Sequence, residues 1–165
     1  MATLVLQLVA LLLIFAASLH DIVARTVPNG FPLALMLVGL ISAIVGGHLA
    51  GSFVAGGATF VTTALCWRQG WIGGGDVKLL GATALLLPPS SVPIFIAAST
   101  IAGGGLSLLY IALGLVVTRP SGPRPSGLVA RALRAERWRV SRRGPLPYIC
   151  AVFAGFSFVL LGALP

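Results

Sequence analysis

ATLVLQLVALLLIFAASLH, residues 2–20, runs without a charged side chain until Asp21 closes it. A helix that crosses a bilayer needs about 20 mainly apolar residues, and this stretch has that length and character. Small residues at Ala16-Ala17-Ser18 near its end resemble a signal-peptide cleavage region. No basic residue precedes the apolar run, however, and a signal peptide begins with one. The segment is expected to be a retained membrane span.

The rest of the chain repeats the pattern. Of 165 residues, 58% are hydrophobic and 8% charged, against about 25% charged in soluble domains. No water-facing surface can be built from so few charges, so a soluble globular class is excluded. Further apolar runs lie at 31–47, 51–67, 76–88, 92–118 and 147–164. A turn from Gly46-Gly47-His48 to Gly51 separates the second and third. Pro88-Pro89 ends the fourth, which is short. Gly103-Gly104-Gly105 falls inside the fifth, where adjacent glycines permit either close helix contact or a break. The expected architecture is all-α: a polytopic membrane bundle of about six transmembrane helices, forming a single membrane-embedded domain over residues 1–165.

The eleven Lys and Arg residues fix the orientation. With six spans, Arg25, the pair Arg68 and Lys78, and the arginines at 119, 124, 131, 134, 137, 139, 142 and 143 all fall on one side. The connections around His48 and around Pro88 to Ser91 carry none. By the positive-inside rule the charged side is cytoplasmic and both termini are on the far side. Topology thus accounts for the net charge of +8, and no nucleic-acid partner is expected. The basic loop at 119–145 contains Leu128 to Val140, which can form a helix on the membrane surface with Leu128, Leu133 and Trp138 towards lipid. Its plainer role is that of a solvated topology determinant. Arginines here attract anionic lipid at about 1 kcal/mol each near the surface.

The acidic residues are Asp21, Asp76 and Glu136. Asp21 follows the cytoplasmic end of the first span and Asp76 opens the fourth, so the two share one membrane edge. Carboxylates close to hydrocarbon are costly and are functional candidates by default. Two facing carboxylates do not both ionise easily: one proton is shared. The ionised member can take a proton from water while the protonated member polarises a peptide carbonyl. That is the division of labour of an aspartic peptidase, and it needs neither metal nor cofactor. Cys66 and Cys150 form no CxxC pair, so a thiolate metal site has no support. His20 adjoins Asp21 and His48 lies on the opposite face; an interfacial role suits both. The competing class is a non-enzymatic membrane component or small transporter using the aspartates as ion or proton ligands. It is disfavoured because no acidic residue lies deeper in the membrane or across it.

Around Asp76 the sequence reads Gly73-Gly74-Gly75-Asp76-Val77-Lys78-Leu79. Glycines there remove side-chain bulk, allow positive φ and let a substrate strand approach. An aspartate at a helix start also has an ordinary explanation in capping. Around Asp21 the sequence reads Asp21-Ile22-Val23-Ala24-Arg25-Thr26-Val27-Pro28-Asn29. These two blocks together resemble those of the type IV prepilin peptidases: Asp, a basic residue and Ile/Val-Pro-Asn, then Gly-x-Gly-Asp-x-Lys. Pro147-Tyr148-Ile149 is similar to the family's Pro-Tyr-Gly block, with Ile149 in place of glycine. The presenilin-like peptidases share Gly-x-Gly-Asp, but their first aspartate lies in a different block.

The resemblance implies that Asp21 and Asp76 are the catalytic pair, with Gly73, Gly75, Lys78, Arg25, Pro28 and Asn29 supporting them or facing substrate. Pro28 holds Val27 extended and Asn29 can cap the next helix. The small size is similar to the short members that serve Flp or tight-adherence pili, which implies leader cleavage without methyltransferase activity. The implied partners are a prepilin substrate, membrane lipids and the pilus assembly machinery. The implied place is the bacterial inner membrane, with the site at the cytoplasmic face and both termini periplasmic.

Overall fold

A computed structural model describes residues 1–122, 125–142 and 144–162. The expected positions of Arg124, Arg143, Leu164 and the Leu128 side chain lie outside what is described. The helices are α1 (Ala2–Ala24), α2 (Gly30–Val45), α3 (Leu49–Arg68), α4 (Gly74–Leu86), α5 (Val92–Val116), α6 (Leu128–Ser141) and α7 (Ile149–Gly162), with a single 3₁₀ turn at Pro89–Ser91 before α5. The fold is an all-helical membrane bundle. Three stretches, Ala2–Ala24, Leu49–Arg68 and Pro89–Val116, are long and apolar enough to cross a bilayer, and α2 and α7 are shorter apolar helices.

The packing is inside-out relative to a soluble protein. Large apolar side chains such as Leu12, Val54, Ile101 and Leu115 point outward and are more than half exposed, as lipid-facing side chains must be. The centre is α4. Every residue from Leu79 to Leu86 is buried, because α2, α3 and α7 pack against it. Glycines bring the backbones together. A methyl group on Gly39 of α2 would lie 3.2 Å from the Leu86 nitrogen, and one on Gly56 of α3 would lie 3.2 Å from Leu85. Small residues at such crossings let helices associate in lipid, where burial alone supplies no drive.

With 13 residues, α4 is about 20 Å long at 1.5 Å per residue, short of the roughly 30 Å hydrocarbon layer. Its C-terminal carbonyls would therefore be orphaned at membrane depth. Ser42 of α2 donates to the Leu86 carbonyl at 3.4 Å, and Ser52 of α3 donates to the Leu87 carbonyl at 3.1 Å. His48 Nδ1 in turn lies 2.7 Å from the Ser52 hydroxyl.

α5 is unbroken through Gly103-Gly104-Gly105, so of the two expectations for that triplet close contact holds. Gly103 receives the Tyr148 ring, and Gly155 of α7 meets the backbone of Ser99 of α5. α6 lies against α5 and α1.

Candidate active site

The first aspartate stands one turn from the end of α1. Asp21 is buried, 7% exposed. Arg25 closes the helix in a left-handed conformation, φ 55° and ψ 30°, and its N–H donates to the Asp21 carbonyl at 2.9 Å. Glycine normally occupies such a position because a Cβ is crowded there. The carbonyls of Ile22 and Val23, left open by the helix end, accept from the guanidinium of Arg139 at 2.7 and 2.8 Å. The Asp21 carboxylate itself takes a long hydrogen bond, 3.5 Å, from the backbone N–H of Ile149, the first residue of α7.

The second aspartate is held in the same manner by a different helix. Gly73 is extended, φ −77° and ψ 149°, and Asp76 is the third residue of α4. Its Oδ2 accepts the Gly73 N–H at 3.0 Å. Each carboxylate thus sits at a helix N-terminus, where free N–H groups and the helix dipole favour negative charge.

The glycines act by bulk rather than by handedness. None of Gly73, Gly74 and Gly75 uses the positive φ that glycine allows; the left-handed glycine nearby is Gly70, φ 76°. A methyl group on Gly75 would lie 2.9 Å from Val27 Cγ2. Bare backbone is therefore what lets the start of α4 press against the segment following α1.

Asp21 and Asp76 line one cleft of about 660 Å³, together with Arg25, Thr26, Val27, Gly70 to Gly75, Ser107, Gly144 to Leu146 and Tyr148. Tyr148 closes one wall, seated on Gly103, where a methyl group would lie 2.5 Å from its ring.

Of the other expected site residues, Gly73, Gly75 and Arg25 join the cleft, whereas Lys78, Pro28 and Asn29 do not line it. Lys78 donates to Asn29 Oδ1 at 2.8 Å, and the pair stands at the mouth of an apolar groove between α2, α3 and α4. Asn29 occupies the cap position of α2 but makes no side-chain cap bond, because its oxygen is taken by Lys78. Pro28 is exposed.

A cluster beside the cleft has no counterpart in the sequence reasoning. Glu136 of α6 forms ion pairs with Arg25 and Arg139 and accepts a hydrogen bond from Tyr110 of α5. Burial works to raise the Glu136 carboxyl, but the hydrogen bonds from Tyr110, Arg25 and Arg139 outweigh it and hold the group below its ordinary value. For Arg25 burial works downward and is outweighed by its bonds to Tyr110 and Glu136, so its pKa rises. Two of the Arg25 nitrogens, Nε and Nη1, are buried without a partner. Among the described residues no group of three or more His, Cys, Asp and Glu converges as a metal site would require.

A model of the type IV leader peptidase family matches residues 8–108, a stretch that includes both aspartates and stops before α6. No curated protein and no solved structure matches the chain.

Proposed function

We propose that this chain, which belongs to the type IV leader peptidase family, is an aspartic endopeptidase that removes the basic leader of a prepilin at the cytoplasmic edge of the bacterial inner membrane. The observation that carries the proposal is the meeting of Asp21 and Asp76 in one cleft, each fastened to a helix N-terminus.

The chemistry follows from the pair. One carboxylate, ionised, takes a proton from water as that water attacks the scissile carbonyl. The other, protonated, donates to the carbonyl oxygen and stabilises the charge that develops there. The proton then passes to the leaving amine. A carboxylate pair sharing one proton performs both roles without a metal. The cleft is bounded by glycine backbone on the α4 side, which leaves room for an extended peptide.

The substrate fits the same geometry. Its short basic leader lies in the cytoplasm and its apolar helix lies in the membrane, so the bond between them falls at the depth of the cleft. The family implies glycine just before the cut. The whole chain acts as one membrane-embedded domain of the Gly-x-Gly-Asp type, of the short kind that serves Flp pili, with both termini periplasmic and no methyltransferase activity. Mass spectrometry of a candidate prepilin co-expressed with this chain tests the proposal. A new N-terminus directly after the leader glycine is expected; an intact leader, or a cut elsewhere, contradicts it.

A further inference from the structure

The arginine-rich helix α6 turns its one acidic side chain inward. Glu136, Arg139 and the buried Val140 follow at i, i+3 and i+4 and share one helix face, and α6 contacts α1 and α5. Arg139 spans three acceptors: the Ile22 carbonyl at 2.7 Å, the Val23 carbonyl at 2.8 Å and Glu136 Oε2 at 3.1 Å. The other oxygen of Glu136 holds Arg25 and receives the Tyr110 hydroxyl. The bonds from Arg139 to Ile22 and Val23, and that from Arg25 to Glu136, end on the short segment that follows Asp21.

That segment is strained. A residue with a side chain seldom adopts positive φ and keeps it only when its surroundings enforce it. Arg25 does so, and in addition it leaves Nε and Nη1 buried without partners. Strained backbone clusters at functional sites, and buried donors without partners are rare enough to call for a reason. The Arg25 N–H bonds the Asp21 carbonyl, so the turn and the orientation of Asp21 move as one unit.

We propose that Arg139 and Glu136 are positioning residues for Asp21. Arg139 caps the end of α1, Glu136 fixes both arginines, and together they hold the Arg25 turn that presents the Asp21 carboxyl to the cleft. Neither residue lines the cleft, so their effect is on geometry and not on substrate contact. The proposal rests on the peptidase assignment for its consequence in turnover and stands apart from it in structure. α6 lies beyond the stretch that the family match covers, residues 8–108.

Two readouts on the full-length chain in detergent micelles test it. The first is hydrogen exchange of the amides at residues 22–27. The second is cleavage of a reporter made of a basic leader ending in glycine and one apolar helix. Arg139→Ala should speed exchange in that segment and lower kcat by roughly ten- to a hundredfold, the scale of a small misplacement of a reacting group, with KM unchanged. Arg139→Lys should fall between, because an ammonium lacks the planar fork that reaches several acceptors. Arg131→Ala removes one charge from the exposed side of α6 and should match the wild type in both readouts. Should Arg139→Ala fail to fold, Glu136→Gln, which is nearly isosteric, should shift both readouts in the same direction by less. Unchanged exchange at residues 22–27, or a kcat for Arg139→Ala equal to that of Arg131→Ala, overturns the proposal. If the wild type leaves the reporter intact while exchange responds as described, the clamp on α1 stands and the peptidase assignment is what fails.

Discussion

The carboxylate of Asp21 accepts the backbone N–H of Ile149 across 128 positions of sequence. The bond uses the main chain of residue 149, so the donor is the same whether isoleucine or the glycine of the resembling block stands there. The Ile149 side chain, fully buried, serves the core instead.

Ile149→Gly therefore keeps the donor and loses the packing. Leader cleavage should persist at permissive temperature, while the thermal midpoint in detergent falls, with a loss of about 2–5 kcal/mol as for other large-to-small core changes. Loss of cleavage without loss of stability would show that the side chain itself serves the site.

Glycine substitutions should separate by what their methyl groups meet. On Gly75 a methyl would collide with Val27, and on Gly104 it would meet nothing within 4 Å. Gly75→Ala should cost about 1–3 kcal/mol through overpacking and disturb the cleft wall. Gly104→Ala should leave cleavage intact and hold or slightly raise stability, since alanine is the better helix former. Thermal melts and reporter cleavage on the two variants check this.

Lys78→Ala separates the structure from the motif. Lys78 bonds Asn29 and stands away from the aspartate cleft. An exposed polar contact of this kind contributes about 1 kcal/mol or less. Cleavage should continue with a small loss of stability; abolition comparable to that of the aspartate variants would place Lys78 in the chemistry.

Acidification should release α6. The folded-state pKa of Glu136 is lowered from 4.5, so the ionised group stabilises the docked helix. That contribution is present above about the ordinary carboxylate value and is lost as pH falls through the lower folded value. Proteolysis of the 119–144 segment should accelerate as pH drops below the ordinary carboxylate range. In Glu136→Gln the rate should already be high at neutral pH and nearly independent of acid.

The helices and both aspartates were legible in the sequence because each leaves a one-dimensional signal. Apolar runs of about 20 residues admit few alternatives in a chain with so few charges, and α3 begins and ends within two residues of the run at 51–67. Asp21 and Asp76 are conspicuous because the chain has no other aspartate. The clamp was not legible. A lone glutamate among arginines reads as part of a solvated loop, and only the fold shows that Glu136 faces Arg25, which is 111 positions earlier. Its being the chain's single glutamate was the one available hint. Asn29 misled for a related reason: a cap is the local solution, but a lysine 49 positions later reaches its oxygen, and three-dimensional proximity overrides local preference. For Gly73 to Gly75 composition announced a special backbone without saying which property was used. The structure uses absence of bulk, a matter of what packs nearby.

The most direct test of the central claim is cleavage of a prepilin by purified Asp21→Asn and Asp76→Asn variants, each verified as folded by its helical circular dichroism and its elution as the wild type does. Asparagine keeps the shape and removes the titratable acid. Both variants should lose leader removal by roughly 10²–10⁴-fold or more, the range associated with a positioned acid or base. If either variant still shortens the substrate at the wild-type rate, Asp21 and Asp76 are not the pair that performs the reaction.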